Sequence, residues 1–186
     1  KYLLAISALR GEAHDREDGR QTLANAKEHY GRWKDFLKKR NDPLRLGLIE
    51  DEAEKGWTDA LNGLFAEVEE SGAVEAPYDD SDFQDIRELA HDVKDRPWDA
   101  LLVDLRLTES DREASSRQAD QLSGAQLIKS LKKARPDLPV VAVTASNKAW
   151  SAKTLREAGS DGYWVKESPE YGVRPEYTVQ NAADLI

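Results

Sequence analysis

At 186 residues the chain fits one domain of ordinary size plus an appendage, and a hydrophobic share of 39% against a charged share of 34% suits a soluble α/β protein with polar helix faces. A net charge of −9 argues against a nucleic-acid or anionic-membrane surface. The absence of cysteine excludes disulfides and thiolate metal sites and is compatible with the cytosol, and no run approaches the ~20 apolar residues of a membrane helix.

The apolar run Tyr2–Leu9 is short and passes into charge, unlike a secretory signal. Leu23, Ala26, Tyr30, Trp33 and Leu37 recur at three- and four-residue spacing, so Gln21 to Lys39 reads as an amphipathic helix. Asn41, Asp42 and Pro43 break it, which divides the chain into an N-terminal helical extension, 1–42, and a main domain, 43–186. A first strand opens at Leu44. Glu54 to Glu70 reads as one helix with Trp57, Leu61, Leu64, Phe65 and Val68 inward. Val74 to Tyr78 is a weak strand, polar enough for a sheet edge. Phe83 to Val93 is a second helix. A third strand spans 99–107, and a polar stretch from Thr108 to Ser123 follows it. Gly124 to Ala134 is a helix stopped near Pro136, and a fourth strand spans 139–146. Lys148 to Ala158 is a helix ended by Gly159, a left-handed cap. The last strand runs to Lys166, and a final helix starts near Tyr177. Strand and helix alternate throughout, which predicts right-handed crossovers and a parallel sheet of order 2-1-3-4-5.

Four segments carry the chemistry: Leu-Gly-Leu-Ile-Glu-Asp-Glu (46–52), Asp-Ala-Leu-Leu-Val-Asp-Leu-Arg-Leu (99–107), Pro-Val-Val-Ala-Val-Thr-Ala-Ser (139–146) and Gly-Ser-Asp-Gly-Tyr-Trp-Val-Lys (159–166). Each is a short apolar run ending in a polar residue: Glu50 and Asp51, then Asp104, Thr144 and Lys166. Such runs read as buried parallel strands. The carboxyl ends of those strands line one crevice in an open α/β sheet. Three carboxylates, a hydroxyl and an ammonium therefore converge at one rim. Clustered carboxylates suit a hard cation, Mg²⁺ where phosphate is present. An aspartate beside the metal can act as nucleophile, and a lysine and a hydroxyl can bind phosphoryl oxygens.

With these motifs in that order, residues 44 to 186 resemble the receiver domain of two-component response regulators, with the flavodoxin-like fold. Leu-Ile-Glu-Asp-Glu, Leu-Leu-Val-Asp-Leu-Arg-Leu, Val-Thr-Ala and Tyr-Trp-Val-Lys carry the likeness. The resemblance implies that Asp104 is the phosphoacceptor, and that Glu50, Asp51 and Asp104 bind Mg²⁺ with the backbone carbonyl of Arg106. It implies that Thr144 contacts the phosphoryl group, that Lys166 is the lysine of the last strand, and that Tyr163 is the aromatic switch residue. It implies phosphoryl donation by a histidine kinase or phosphotransfer protein, and no turnover beyond self-phosphorylation and its reversal. The stripe of the Gln21–Lys39 helix needs cover, from its own receiver, from a second copy in a homodimer or from a downstream protein that takes the output.

The sequence departs from the family's pattern in three places. Glu50 stands where aspartate is commoner, Glu167 where proline is usual, and the 108–123 stretch is longer than the usual loop. A degenerate receiver that binds partners without phosphorylation shares the fold. A hydrolase working through an aspartyl-phosphate would carry a second aspartate two residues beyond the nucleophile, and Arg106 stands there. His14, His29 and His91 lack ligand spacing, Ser115, Ser116 and Ser123 lack a nucleophile-elbow context, and Asp79, Asp80, Asp82 and Asp85 read as a solvated helix start.

Overall fold

The computed structural model describes residues 44–66, 74–113, 121–144 and 155–166, together with Glu28, Arg32, Asp35 and Lys39. The chain forms two compact units, one of residues 44–59 and 73–166, the other of 1–43, 60–72 and 167–186. In the latter, Glu28, Arg32 and Asp35 are helical, and Arg32 pairs with Glu28 one turn away. The apolar stripe expected on that helix, the last helix near Tyr177, Glu167, His14 and His29 lie outside the described residues.

The first unit holds a five-stranded parallel sheet. Its strands are β1 (Leu46–Ile49), β2 (Val74–Glu75), β3 (Ala100–Asp104), β4 (Val140–Thr144) and β5 (Gly162–Val165). They lie in the order β2-β1-β3-β4-β5, the flavodoxin-like order the alternation predicts. β1 is buried along its whole length, and β3 and β4 are buried but for one residue each. That is why these strands read as unbroken apolar runs rather than alternating ones. β2 pairs through only two residues at the edge, with Val74 buried and Glu75 exposed.

Side chains alternate across a sheet, and the register fixes which share a face. One face carries Ile49, Leu101, Val103, Val140 and Ala142. They form the main core with Leu89, Ala90 and Val93 of α2 (Ile86–Asp95) and Ala125, Leu127, Ile128 and Leu131 of α4 (Ser123–Ala134). The opposite face carries Leu48, Leu102, Val143 and Trp164. There Trp57, the first residue of α1 (Trp57–Ala66), meets Trp164 edge-on, with ring centroids 6.3 Å apart and planes at 89°.

Three expected elements change. The helix expected over 54–70 is broken: Ala53–Lys55 is a 3-10 turn, and α1 starts only at Trp57. Between them Gly56 has φ 102°, a left-handed conformation that glycine alone adopts at little cost. Apolar spacing continues through that break, so periodicity misses it. The helix expected from Phe83 starts three residues later, because Asp82–Gln84 is a 3-10 turn and Asp85 is the cap. The Asp85 carboxylate accepts from the backbone N–H groups of Arg87 (2.9 Å) and Glu88 (3.2 Å), as an acid at a helix start should. The polar stretch after β3 is no plain loop: it contains a short helix, α3 (Glu109–Glu113). Residues 155–158 are helical and end at Gly159 with φ 101°, the cap its sequence suggested.

Candidate functional site

β1, β3, β4 and β5 run parallel, so their carboxyl ends deliver Glu50 with Asp51, Asp104, Thr144 and Lys166 to one rim. Glu50, Asp104, Thr144 and Lys166 are buried, at 3%, 8%, 5% and 7% exposure. Burial of charge at this density is costly unless the groups satisfy one another.

Lys166 does most of that. Its ammonium donates to Asp104 Oδ2 at 2.8 Å and to Glu50 Oε2 in a very short contact. Its backbone N–H donates to the Thr144 carbonyl at 2.7 Å, which seats the end of β5 against the end of β4. The Trp57 ring lies 5.2 Å from the ammonium and adds a cation–π contact. Asp104 Oδ1 accepts from the Leu105 N–H at 2.6 Å, and Glu50 Oε1 accepts from the Glu52 N–H at 3.3 Å. Asp104 and Lys166 fall on the same sheet face by register, so the lysine of an outer strand reaches an acid two strands away.

The electrostatics follow from one ammonium among three carboxyl groups. Burial first, and then the neighbouring Asp104 charge, push Glu50 from its ordinary 4.5 up to about 8, against the pull of Lys166. Burial likewise raises Asp104, opposed by Lys166. Burial works against the Lys166 charge too, but the Asp104 and Glu50 carboxylates outweigh it and hold the ammonium above its ordinary value. One buried cation fully supports one anion, and the second carboxyl group keeps its proton more tightly.

Glu50, Asp51 and Asp104 each offer a carboxylate oxygen, and these atoms lie within 4.8 Å of one another. An all-oxygen, anionic donor set of this size fits a hard divalent cation and suits no soft metal. Arg106 is exposed between the buried Leu105 and Leu107. Tyr163 is half-buried against the main core, paired in register with Ala142 and so on the same sheet face as Thr144. His91 is exposed and lies 3.5 Å from Asp95, and among the described residues it belongs to no cluster able to hold a metal.

The junction after Asp104 is held by residues that sequence reading passed over. Gly124 packs its backbone against β3: a Cβ there would stand 1.9 Å from the Asp104 carbonyl and 2.7 Å from Leu105 Cα. The Gly124 N–H donates to the Leu105 carbonyl at 3.1 Å. Ser123 and Asp111, both buried, form hydrogen bonds beside it. Trp57 reads from its spacing as an inward helix residue, yet it covers Lys166. In the sequence Gly124 reads only as the first residue of a helix, and no spacing marks Asp111 or Ser123.

No protein-family model matches the chain, and no curated protein matches it. Solved structures do. The chain is similar to a two-component response regulator of the LuxR family from Aurantimonas, with 17% identity, 75% of this chain and 81% of that one covered, and a TM-score of 0.49. It is also similar to the chemotaxis protein CheY4 of Vibrio cholerae, with 12% identity, 75% and 95% covered, and a TM-score of 0.48. For a two-component response regulator from Clostridium difficile the identity is 16%, the coverage 68% and 86%, and the TM-score 0.47.

Proposed function

We propose that this chain is a phosphoacceptor receiver domain that takes a phosphoryl group onto Asp104. The observation that carries it is the buried Asp104 carboxylate held at 2.8 Å by Lys166, beside two further acids whose oxygens lie within 4.8 Å of it. In the reaction a bond forms between an Asp104 carboxylate oxygen and phosphorus while the donor's bond to phosphorus breaks, leaving the donor's nitrogen or oxygen with the electron pair. Glu50, Asp51 and Asp104, with the Arg106 carbonyl, would hold Mg²⁺, and the cation would supply positive charge to offset that of the acids and the phosphoryl group. Leu105 and Lys166 orient the Asp104 carboxylate from its two sides. Lys166 is then close enough to transfer one of its hydrogen bonds to a phosphoryl oxygen, and Thr144 supplies a hydroxyl at the neighbouring strand end. Tyr163, on the Thr144 face, reports the change to the surface. The donor is a phosphohistidine on a kinase or phosphotransfer protein, and output passes to a protein partner.

A phosphorylation-independent binding module is the second reading. It is favoured by the Lys166 ammonium, which already bridges Glu50 and Asp104 and can serve as a permanent counterion. Acetyl phosphate with Mg²⁺, followed by intact mass, separates the two. The phosphoacceptor adds one base-labile phosphoryl group, and Asp104→Asn adds none. A wild type that gains no mass, or a variant that labels equally, overturns the first reading.

A further inference from the structure

The polar excursion after β3 brings back a carboxylate that the phosphoryl chemistry does not use. Asp111 of α3 is only 1% exposed, although it is an acid in the middle of a run of polar residues. Its Oδ2 accepts from the Ser123 N–H at 3.1 Å and from the Ser123 hydroxyl in a very short contact. The same hydroxyl accepts from the Leu107 N–H at 3.1 Å. Asp111 thus fixes which way the Ser123 O–H points, and leaves a lone pair of that oxygen for Leu107.

Leu107 N–H belongs to the same peptide unit as the Arg106 carbonyl. A trans peptide is planar, with its N–H and C=O pointing in opposite directions. Holding the N–H on Ser123 Oγ therefore sets the direction of the Arg106 carbonyl, turned away from Ser123. The preceding residue is fixed as well: the Leu105 N–H is on Asp104 Oδ1 and the Leu105 carbonyl receives the Gly124 N–H. Leu105 and Leu107 are both 2% exposed, so the two side chains flanking Arg106 are also anchored.

We infer that Asp111 is a positioning residue for the acidic site: acting through Ser123, it orients the Arg106–Leu107 peptide and presents the Arg106 carbonyl as a fixed oxygen ligand. The inference rests on the reading of the rim as a Mg²⁺-dependent phosphoacceptor. It gives the long segment after β3 a role, since it is this segment that carries the carboxylate. Groups that orient a metal's ligands typically change metal affinity about 10- to 100-fold when removed.

The test is a calorimetric Mg²⁺ titration of wild type, Asp111→Ala and Ser123→Ala, each well below its unfolding temperature, beside Asp104 labelling by acetyl phosphate at graded Mg²⁺. Half-saturation in both variants should rise about tenfold or more, while labelling at saturating Mg²⁺ returns to the wild-type level. Asp111→Asn, which keeps an acceptor oxygen for Ser123, should restore most of the affinity. A distant destabilising change, Tyr78→Phe, should leave half-saturation unmoved. Should Asp111→Ala not fold, Ser123→Ala decides, because it removes one oxygen only. Unchanged half-saturation in folded variants, with wild type binding normally, overturns this inference alone. A wild type that neither binds Mg²⁺ nor takes label overturns the phosphoacceptor reading, and this inference with it.

Discussion

Glu50 shows how far one side chain's chemistry is set by its surroundings. Burial raises its pKa from 4.5 to about 8. A carboxyl group raised on folding binds its proton more tightly in the native state, so its contribution is fully present below about pH 4.5 and is lost as pH rises through about 8. Metal-free protein should therefore lose on the order of a few kcal/mol of stability across that window. Urea unfolding in chelator, from about pH 5 to about pH 8, measures it, and Glu50→Gln should flatten the decline. Gly124 makes a steric statement of the same kind. Alanine is ordinarily better than glycine inside a helix by up to ~1 kcal/mol. Here its Cβ would lie 1.9 Å from the Asp104 carbonyl. Relieving that clash means moving the backbone of β3 or α4, which costs about 1–3 kcal/mol or more. Gly124→Ala should thus destabilise rather than stabilise, and should slow Asp104 labelling. At this scale the gathering of Glu50, Asp51, Asp104, Thr144 and Lys166 at one rim was legible, because each lies at the end of an apolar run. Asp111, Ser123 and Trp57 were not, because their roles depend on hydrogen bonds and contacts that no spacing encodes.

Among the elements, the strands and their order follow directly from the apolar runs, and α4 starts within one residue of its expected place, while the starts of α1 and α2 do not follow. α1 and α2 are each preceded by a 3-10 turn that helical periodicity reads as the helix itself. The edge strand illustrates a different dependence. β2 pairs through only two residues, too little to hold an edge by ladder bonds alone. The segment after it is tied to α2 by the Tyr78 hydroxyl, which donates to Asp92 Oδ2 at 2.8 Å. Arg96 adds to the tie, pairing with Asp92 at 3.0 Å and lying 5.0 Å from the Tyr78 ring centroid. Burial and that bond raise the Tyr78 pKa. Tyr78 is 8% exposed, so Tyr78→Phe should remove about 1 kcal/mol through the lost hydrogen bond while keeping the ring packed. The loss should shrink in an Asp92→Asn background, which a double-mutant cycle by urea unfolding would show. An equal loss in both backgrounds would assign the effect to ring packing instead.

For the molecule as a whole, the doubly wound sheet concentrates acids at one rim, and the fold must tolerate their repulsion to keep them there. Asp51 is the half-exposed member of the cluster, and its charge is among the influences that raise Asp104. Converting it to asparagine should relieve that repulsion, so metal-free Asp51→Asn should be at least as stable as wild type. With Mg²⁺ the ranking should reverse. A cation that binds only the folded chain stabilises it by RT ln(1 + [Mg²⁺]/Kd), about 2.7 kcal/mol at a hundred times Kd. Asp51→Asn should lose most of that gain, and more of it than Glu50→Gln, whose carboxyl group must first give up a tightly held proton. Thermal unfolding of the three proteins, in chelator and at high Mg²⁺, makes the comparison. If Asp51→Asn were less stable in chelator yet gained as much from Mg²⁺ as wild type, Asp51 would be a structural acid and not a ligand. The expected crossover instead marks a residue kept for what it binds, at a cost to the empty fold.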